Sequence, residues 1–134
     1  MTLRIAKLPK PDRGQTDRRI ERSTDTATAL ELALTSAANR AHLDAVLLVD
    51  DAGMLVSKSN TALDLSMLAA VTPIVGRGKA IPRIKRNGEK RELSVKTLEI
   101  EGELLYMAAL GGSNTSRQRE LRHSVAAAER IFAA

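Results

Sequence analysis

The chain has 134 residues, a length that predicts one compact domain rather than two. It contains no cysteine and only two histidines, which excludes a disulfide framework and a thiolate metal site and leaves too few ligands for a typical zinc site. The formal net charge is +5, and no apolar run approaches the roughly 20 residues of a transmembrane segment. We therefore expect a cytoplasmic protein with no metal site, and no motif in the chain predicts a cofactor or catalytic residues.

The positive charge lies in two segments. Residues 1–24 hold seven lysines and arginines against three acids, and residues 77–92 hold seven against two. Such segments can neutralise nucleic-acid phosphates, but proteins that bind single-stranded DNA or RNA usually also stack bases on aromatic side chains. The chain has one tyrosine and one phenylalanine. Nucleic acid is therefore not the expected partner, and a solvated tail and a charged strand edge are the preferred interpretation.

The first 23 residues show no sustained apolar period. We interpret residues 1–23 as a basic extension, flexible or docked on another surface, and residues 24–134 as the domain. Capping oxygens at Ser23, Thr24 and Asp25 precede apolar residues at helical spacing, which predicts a helix over 25–41.

A hairpin is predicted next. Residues 45–49 are apolar at every position, which is typical of a strand buried on both faces. The Asp50-Asp51-Ala52-Gly53 sequence favours a tight turn into a second strand at 54–58. Paired carboxylates can also act as acid and base or bind magnesium, but neighbouring side chains diverge and no third ligand is near in sequence. The turn is the preferred interpretation.

The segment 61–81 predicts a helix capped by Asp64 or Thr61 that carries two apolar faces. One stripe suits packing on a sheet and consists of Leu65, Leu68, Ala69 and Thr72. A second arc consists of Met67, Ala70, Val71 and Ile74, and we expect another chain to cover it. Pro73 is expected to bend or weaken the helix, and the glycines that follow lack the phosphate-loop spacing, so no nucleotide site is predicted.

Three further strands and a helix complete the pattern. Residues 81–86 alternate apolar and basic side chains before an Asn87-Gly88 hairpin, as an edge strand would, and strands at 92–100 and 104–110 follow. The apolar parity of 92–100 shifts midway, which indicates a bulge or burial on both faces. Capping residues at 113–115 begin the last helix, where His123 is expected on a solvated face and Glu120 in a surface ion pair.

The strands with unbroken apolar runs should be central. The predicted architecture is therefore α/β, with a five-stranded antiparallel sheet of order 2-1-5-4-3, the first and last helices on one face and the middle helix on the other.

Three segments of the chain, taken together in their sequence order, resemble the roadblock/dynein light chain family, which has a profilin-like α/β architecture. They are LDAVLLVDDAGMLVSKS, DLSMLAAVTPIVGRG and GELLYMAALGGSNTSRQRELRHSVAAAERIF, and the resemblance covers about residues 25–133. Members of that family are typically homodimers or heterodimers that join sheets edge to edge and pair their middle helices. In bacteria and archaea they often accompany Ras-like small GTPases as activators or regulators, and elsewhere they are scaffolds or motor-cargo adaptors.

The resemblance implies a regulator, not itself an enzyme, that dimerises with itself or a related chain and modulates the hydrolysis or nucleotide state of a Ras-like GTPase. The implied dimer and partner face maps onto Met67, Ala70, Val71, Ile74 and Arg77, with edge pairing near Ile84. Further partner-contacting cations would be Lys79, Arg83 and Lys85. Arg77 or Lys79 acting near a γ-phosphate, a non-catalytic scaffold, and a basic nucleic-acid or membrane-surface module stay open as alternatives.

Overall fold

The structure is a computed structural model that describes residues 13–78, 83–86 and 89–133, with side chains described for 25–78 and 91–133. The helices and strands follow the predicted order among these residues. They are α1 (Arg13–Ala41), β1 (Ala45–Asp50), β2 (Leu55–Lys58), α2 (Ser66–Gly76), β3 (Arg83–Arg86), β4 (Glu89–Ile100), β5 (Glu103–Leu110) and α3 (Asn114–Ala133).

The sheet is antiparallel and its neighbours follow the order β2-β1-β5-β4-β3. However, β5 pairs with Leu93–Ile100 of β4, whereas β3 pairs with Glu89–Glu92. Within the described ranges, β3 and β5 thus lie along successive parts of β4, and the sheet that carries the core is four strands wide. The predicted strand order is confirmed, whereas β3 extends only the first part of β4 and lies outside the four-stranded part that carries the core, because only the second part of β4 has the apolar residues that a core requires. The predicted Asn87-Gly88 turn lies outside the described residues.

Helices cover both faces of the sheet, as predicted. Val46, Leu48 and Met107 pack with α1 and α3 in one apolar cluster, while Leu47 and Ala108 pack with α2 in a second cluster. Successive residues of a strand point to opposite faces. The unbroken apolar run of β1 is therefore explained by burial on both faces.

The parity shift in β4 has the same cause. Leu93 and Val95 belong to the cluster under α2, whereas Leu98 and Ile100 belong to the cluster under α1 and α3. The β4 and β5 register runs without a shift from Leu93 to Ile100, so burial on both faces, rather than a bulge, accounts for the pattern.

Helix α1 begins at Arg13, well before the predicted start near residue 25. The intervening residues 13–24 include four arginines, one glutamine and one glutamate, which are good helix formers. Extending a helix that packing has already nucleated adds one hydrogen bond per residue without a new nucleation cost. The prediction from apolar periodicity therefore underestimated the length of α1. The domain boundary between residues 23 and 24 stays a prediction.

Glu120 connects α3 to α1 inside the fold. Its side chain is 1% exposed, and Arg40 donates to its Oε1 at 2.6 Å, while Arg119 donates to its Oε2 at 3.1 Å. These bonds, chiefly the one from Arg40, hold the pKa of Glu120 below its ordinary value. The expected surface ion pair is thus a buried carboxylate with two arginine partners, whereas His123 is exposed as predicted.

The variant Glu120→Gln is expected to lower the free energy of unfolding at pH 7 by about 1–3 kcal/mol, since charge-assisted hydrogen bonds are lost. The depressed pKa means that Glu120 contributes stability above its ordinary value of 4.5, and that this contribution is lost as pH falls through the folded-state pKa. Urea unfolding of both proteins from pH 7 to pH 3 measures this. A wild-type advantage that stays constant with pH would contradict it.

Candidate functional site

The N-cap position of helix α2 is Leu65, one residue after the predicted cap Asp64, and Asp64 holds the start of the helix from there. The helix begins at Ser66, and Asp64 Oδ1 accepts hydrogen bonds from the Ser66 backbone nitrogen at 3.0 Å and from its hydroxyl at 2.7 Å. These bonds lower the pKa of Asp64. Thr61, the alternative cap, instead accepts from the Leu63 nitrogen at 3.2 Å.

The helix continues through Pro73 to Gly76 because its inner side packs closely on the sheet. Pro73 is buried, and the preceding Thr72 is buried with its hydroxyl donating to the Leu68 carbonyl at 2.8 Å. A Cβ added at Gly76 would lie 2.5 Å from Cδ1 of Tyr106. This glycine therefore lets the helix end approach its own sheet, rather than a partner helix.

The two arcs predicted for α2 differ sharply in exposure. The inner stripe of Leu65, Leu68, Ala69 and Thr72 is buried under the helix, as predicted. We call the other side the outer arc; it consists of Met67, Ala70, Val71, Ile74 and Arg77. Met67 is 81% exposed and Ile74 is 40% exposed, Ala70 and Arg77 are exposed, and Val71 is half-buried. The fold thus places five of the predicted interface residues on one helical surface.

Arg77, at the end of the outer arc, is held by the turn between β1 and β2. Its Nη2 donates to Asp51 Oδ1 at 2.7 Å and to the Asp51 carbonyl at 3.1 Å. The Tyr106 hydroxyl donates to the same Oδ1 at 2.8 Å. Three residues far apart in sequence therefore meet at the end of α2.

The charges in this cluster support one another. Hydrogen bonds from Arg77 and then Tyr106 lower the pKa of Asp51, so this carboxylate stays ionised at neutral pH. Burial, and then the bond to Asp51, raises the pKa of Tyr106, which keeps its proton. A guanidinium carries five N–H donors and suits carboxylate or phosphate acceptors. The cluster can therefore present an oriented cation beside an apolar surface.

Asp50 and Asp51 have separate roles. Asp50 Oδ1 accepts from the backbone nitrogens of Ala52 and Met54, both at 2.9 Å, which confirms the turn interpretation for this residue. Asp51 reaches outward to Arg77 and Tyr106 instead. Sequence reasoning missed this second role, because nothing near Asp51 in the chain identifies partners that the fold supplies from α2 and β5.

The remaining predicted site residues are described only in part. Lys79 lies outside the described residues. Arg83, Ile84 and Lys85 lie on β3, where the backbone is described and the side chains are not. Edge pairing near Ile84 and partner contacts by these cations therefore stay predictions.

The loop between β5 and α3 caps the helix, as predicted, since Ser113 Oγ accepts from the Ser116 nitrogen at 3.1 Å. The same loop is held by a residue that sequence reasoning missed. Arg117 is 2% exposed and donates from Nη1 to the carbonyls of Gly111 and Gly112, both at 2.9 Å. Its Nε donates to Ser94 and its Nη2 to Glu92, each at 2.8 Å. Arg117 thus fastens the loop to β4.

Comparison with known proteins identifies the fold. No family model matches the sequence, and no curated protein matches it by sequence. MglB of Myxococcus xanthus is structurally similar, with 16% identity, a TM-score of 0.56, and coverage of 79% of this chain and 89% of that chain. The gliding protein MglB from Thermus thermophilus matches with 12% identity, a TM-score of 0.61, and coverage of 81% and 91%. A structure described as MglB with tetrameric arrangement matches with 14% identity, a TM-score of 0.58, and coverage of 81% and 90%.

The chain has a roadblock-like fold. The resemblance inferred from the three sequence segments is thereby confirmed at the level of fold. The antiparallel sheet has α1 and α3 on one face and α2 on the other. Within the described part of the chain, no helix has the length and apolar character needed to cross a membrane.

Proposed function

We propose that this chain is a dimeric roadblock-type regulator that binds a Ras-like small GTPase in the cytoplasm and modulates its GTP hydrolysis or nucleotide state. The observation that supports this proposal is the outer arc, where aliphatic side chains lie exposed on a helix whose other side is fully packed. Contiguous exposed apolar surface usually marks an interface. The roadblock-like fold supports a small GTPase as the class of partner.

The outer arc suits a two-fold pairing of α2 with α2 of a second chain. In such an interface the same patch is used by both subunits, so it must be self-complementary. Ala70 lies between Met67 and Ile74 along the helix and leaves room for a facing helix to approach. One of the similar structures is described as a tetrameric arrangement of MglB, which is consistent with association through this fold.

Arg77 is the residue of the outer arc that suits an acidic group or phosphate on the GTPase. Its ion pair with Asp51 is solvent-accessible on both sides, with 44% of the arginine side chain and 56% of the aspartate side chain exposed. Exposed pairs of this kind exchange partners at little cost. The proposed role is to contact the partner's charged groups and to order them, with the chemistry carried out by the GTPase.

A pull-down from the source organism's lysate tests the partner, with the chain as bait and the lysate loaded with GDP or a non-hydrolysable GTP analogue. Recovery of a Ras-like GTPase in one nucleotide state only is expected. A non-catalytic scaffold using the same outer arc is the second candidate. It predicts recovery of other proteins irrespective of nucleotide.

Single-turnover hydrolysis by the recovered GTPase then tests Arg77. Arg77→Ala is expected to reduce the effect of the regulator, whereas Asp51→Asn, which removes the ion pair but keeps the carbonyl acceptor of Asp51, is expected to retain it. Arg122→Ala removes an exposed arginine of α3 and is the matched control. Equal effects of Arg77→Ala and Arg122→Ala would reject a specific role for Arg77.

A further inference from the structure

We propose that the N-terminal segment of this chain, residues 3–10, docks in a cleft at the end of the α1 and α3 layer. The cleft has a volume of about 460 Å³. Among the described side chains, its apolar lining comes from Val56, Ile100, Leu105 and Phe132, and Glu101 and Glu103 also line it. Ile100, Leu105 and Phe132 belong to the apolar cluster under α1 and α3, so the cleft lies on the opposite face of the sheet from α2.

The rim has a defined geometry because it is a two-residue hairpin turn. Glu101 and Gly102 have φ values of 53° and 82°, and Ile100 pairs with Glu103 on either side of them. Positive φ at both central residues is the signature of a type I′ turn. Glu99, Glu101 and Glu103 are all exposed there. A segment that enters this cleft therefore meets an apolar floor and an acidic rim.

The N-terminal segment has the complementary chemistry. Residues 1–11 contain no acid, and their cations are Arg4, Lys7 and Lys10. Apolar side chains, those of Leu3, Ile5 and Leu8, are interspersed with the cations. Aliphatic side chains can fill the floor while lysine and arginine reach the glutamates. The roadblock-like regulator function proposed above makes no use of this segment.

The path of α1 delivers the segment to the correct end of the molecule. The end of α1 and the start of α3 are adjacent, since a Cβ at Gly112 would lie 3.6 Å from the Ala41 carbonyl oxygen. Helix α1 ends at that point and α3 begins there, and both helices pack on the same face of the sheet. The start of α1 therefore lies toward the end of α3, where Phe132 is.

The segment is long enough to return to the cleft. Helix α1 has 29 residues and α3 has 20, so α1 continues about 14 Å beyond α3 at a rise of about 1.5 Å per residue. The 12 residues before Arg13 span up to about 40 Å when extended. Because the segment is tethered, its effective concentration at the cleft is in the millimolar range, so a modest contact suffices for occupancy.

The absence of cysteine allows a direct test on the full chain. A nitroxide on Thr2→Cys is expected to broaden the NMR signals of Val56, Ile100, Leu105 and Phe132. The broadening should be lost in 1 M salt, where the Debye length is about 3 Å. It should also be lost in Glu101→Lys/Glu103→Lys. The matched control, Glu31→Lys/Glu129→Lys, adds the same charge at exposed acids that do not line the cleft, and should retain it.

Three outcomes would overturn the proposal. They are no broadening at these residues, equal loss in both charge-reversal variants, and broadening found only when spin-labelled chains are mixed with isotope-labelled chains that carry no spin label. The last outcome would assign the cleft to a second copy. None of these measurements involves a GTPase or the outer arc, so the proposal and the proposed function fail independently.

Discussion

Replacing both Met67 and Ile74 with aspartate is expected to weaken self-association by about 100-fold or more. Both side chains are large, aliphatic and exposed on the outer arc. A buried, unpaired carboxylate at an interface costs several kcal/mol, and each 1.4 kcal/mol corresponds to a tenfold change in the dissociation constant. The folded monomer should keep its stability, since neither side chain packs in the core.

Sedimentation velocity over a concentration series measures this effect, with thermal unfolding as the check on folding. Leu32→Asp is the matched control, because Leu32 is an aliphatic residue that is 63% exposed on α1, away from the outer arc. Association that is unchanged in the double variant, or equally reduced in the control, would mean that the outer arc is not the dimer interface.

Replacing Arg117 with methionine is expected to lower the free energy of unfolding by about 3 kcal/mol or more. The substitution keeps an unbranched apolar stem but removes the donors to the carbonyls of Gly111 and Gly112 and to Ser94. The bond to Gly111 is buried and those to Gly112 and Ser94 are part-buried, and a buried acceptor left without a partner costs about 1–3 kcal/mol, while each part-buried bond contributes about 1 kcal/mol. Gly111 has a φ of 88°, so the loop relies on a backbone conformation that these bonds stabilise.

Urea unfolding followed by circular dichroism measures this change. Arg122→Met removes an exposed arginine from the same helix and is expected to stay within about 0.5 kcal/mol of the wild type. A cost for Arg117→Met no larger than that of Arg122→Met would show that the four hydrogen bonds contribute little to stability.

Periodic patterns predicted the parts of this protein that depend on neighbouring residues in the chain. The alternation of buried and exposed positions along α2 follows from 3.6 residues per turn, so the inner stripe and the outer arc were separable from sequence. The unbroken apolar run in β1 indicated burial on both faces because successive side chains of a strand point to opposite faces. The start of α1 escaped prediction because its first residues carry helix propensity without an apolar period.

Contacts between distant residues were not predictable in this way. Arg77 and Asp51 are 26 positions apart, and Tyr106 and Asp51 are 55 apart. Arg117 and Ser94 are 23 apart. Charged residues are common on helix surfaces, so nothing in the local pattern distinguishes Arg117, which is buried, from Arg122, which is exposed.

The sequence by itself determined the order of elements, the assignment of helices to the two faces of the sheet, and the outer arc of α2, because each depends on hydrophobic periodicity and local turn chemistry. Only the tertiary structure decided that β3 and β5 pair with successive parts of β4, that Asp51 and Tyr106 hold Arg77, and that Glu120 and Arg117 are buried. The physical reason is that a hydrogen bond or ion pair depends on distance in space. The folding of the sheet brings these groups within about 3 Å of one another, whatever their separation along the chain.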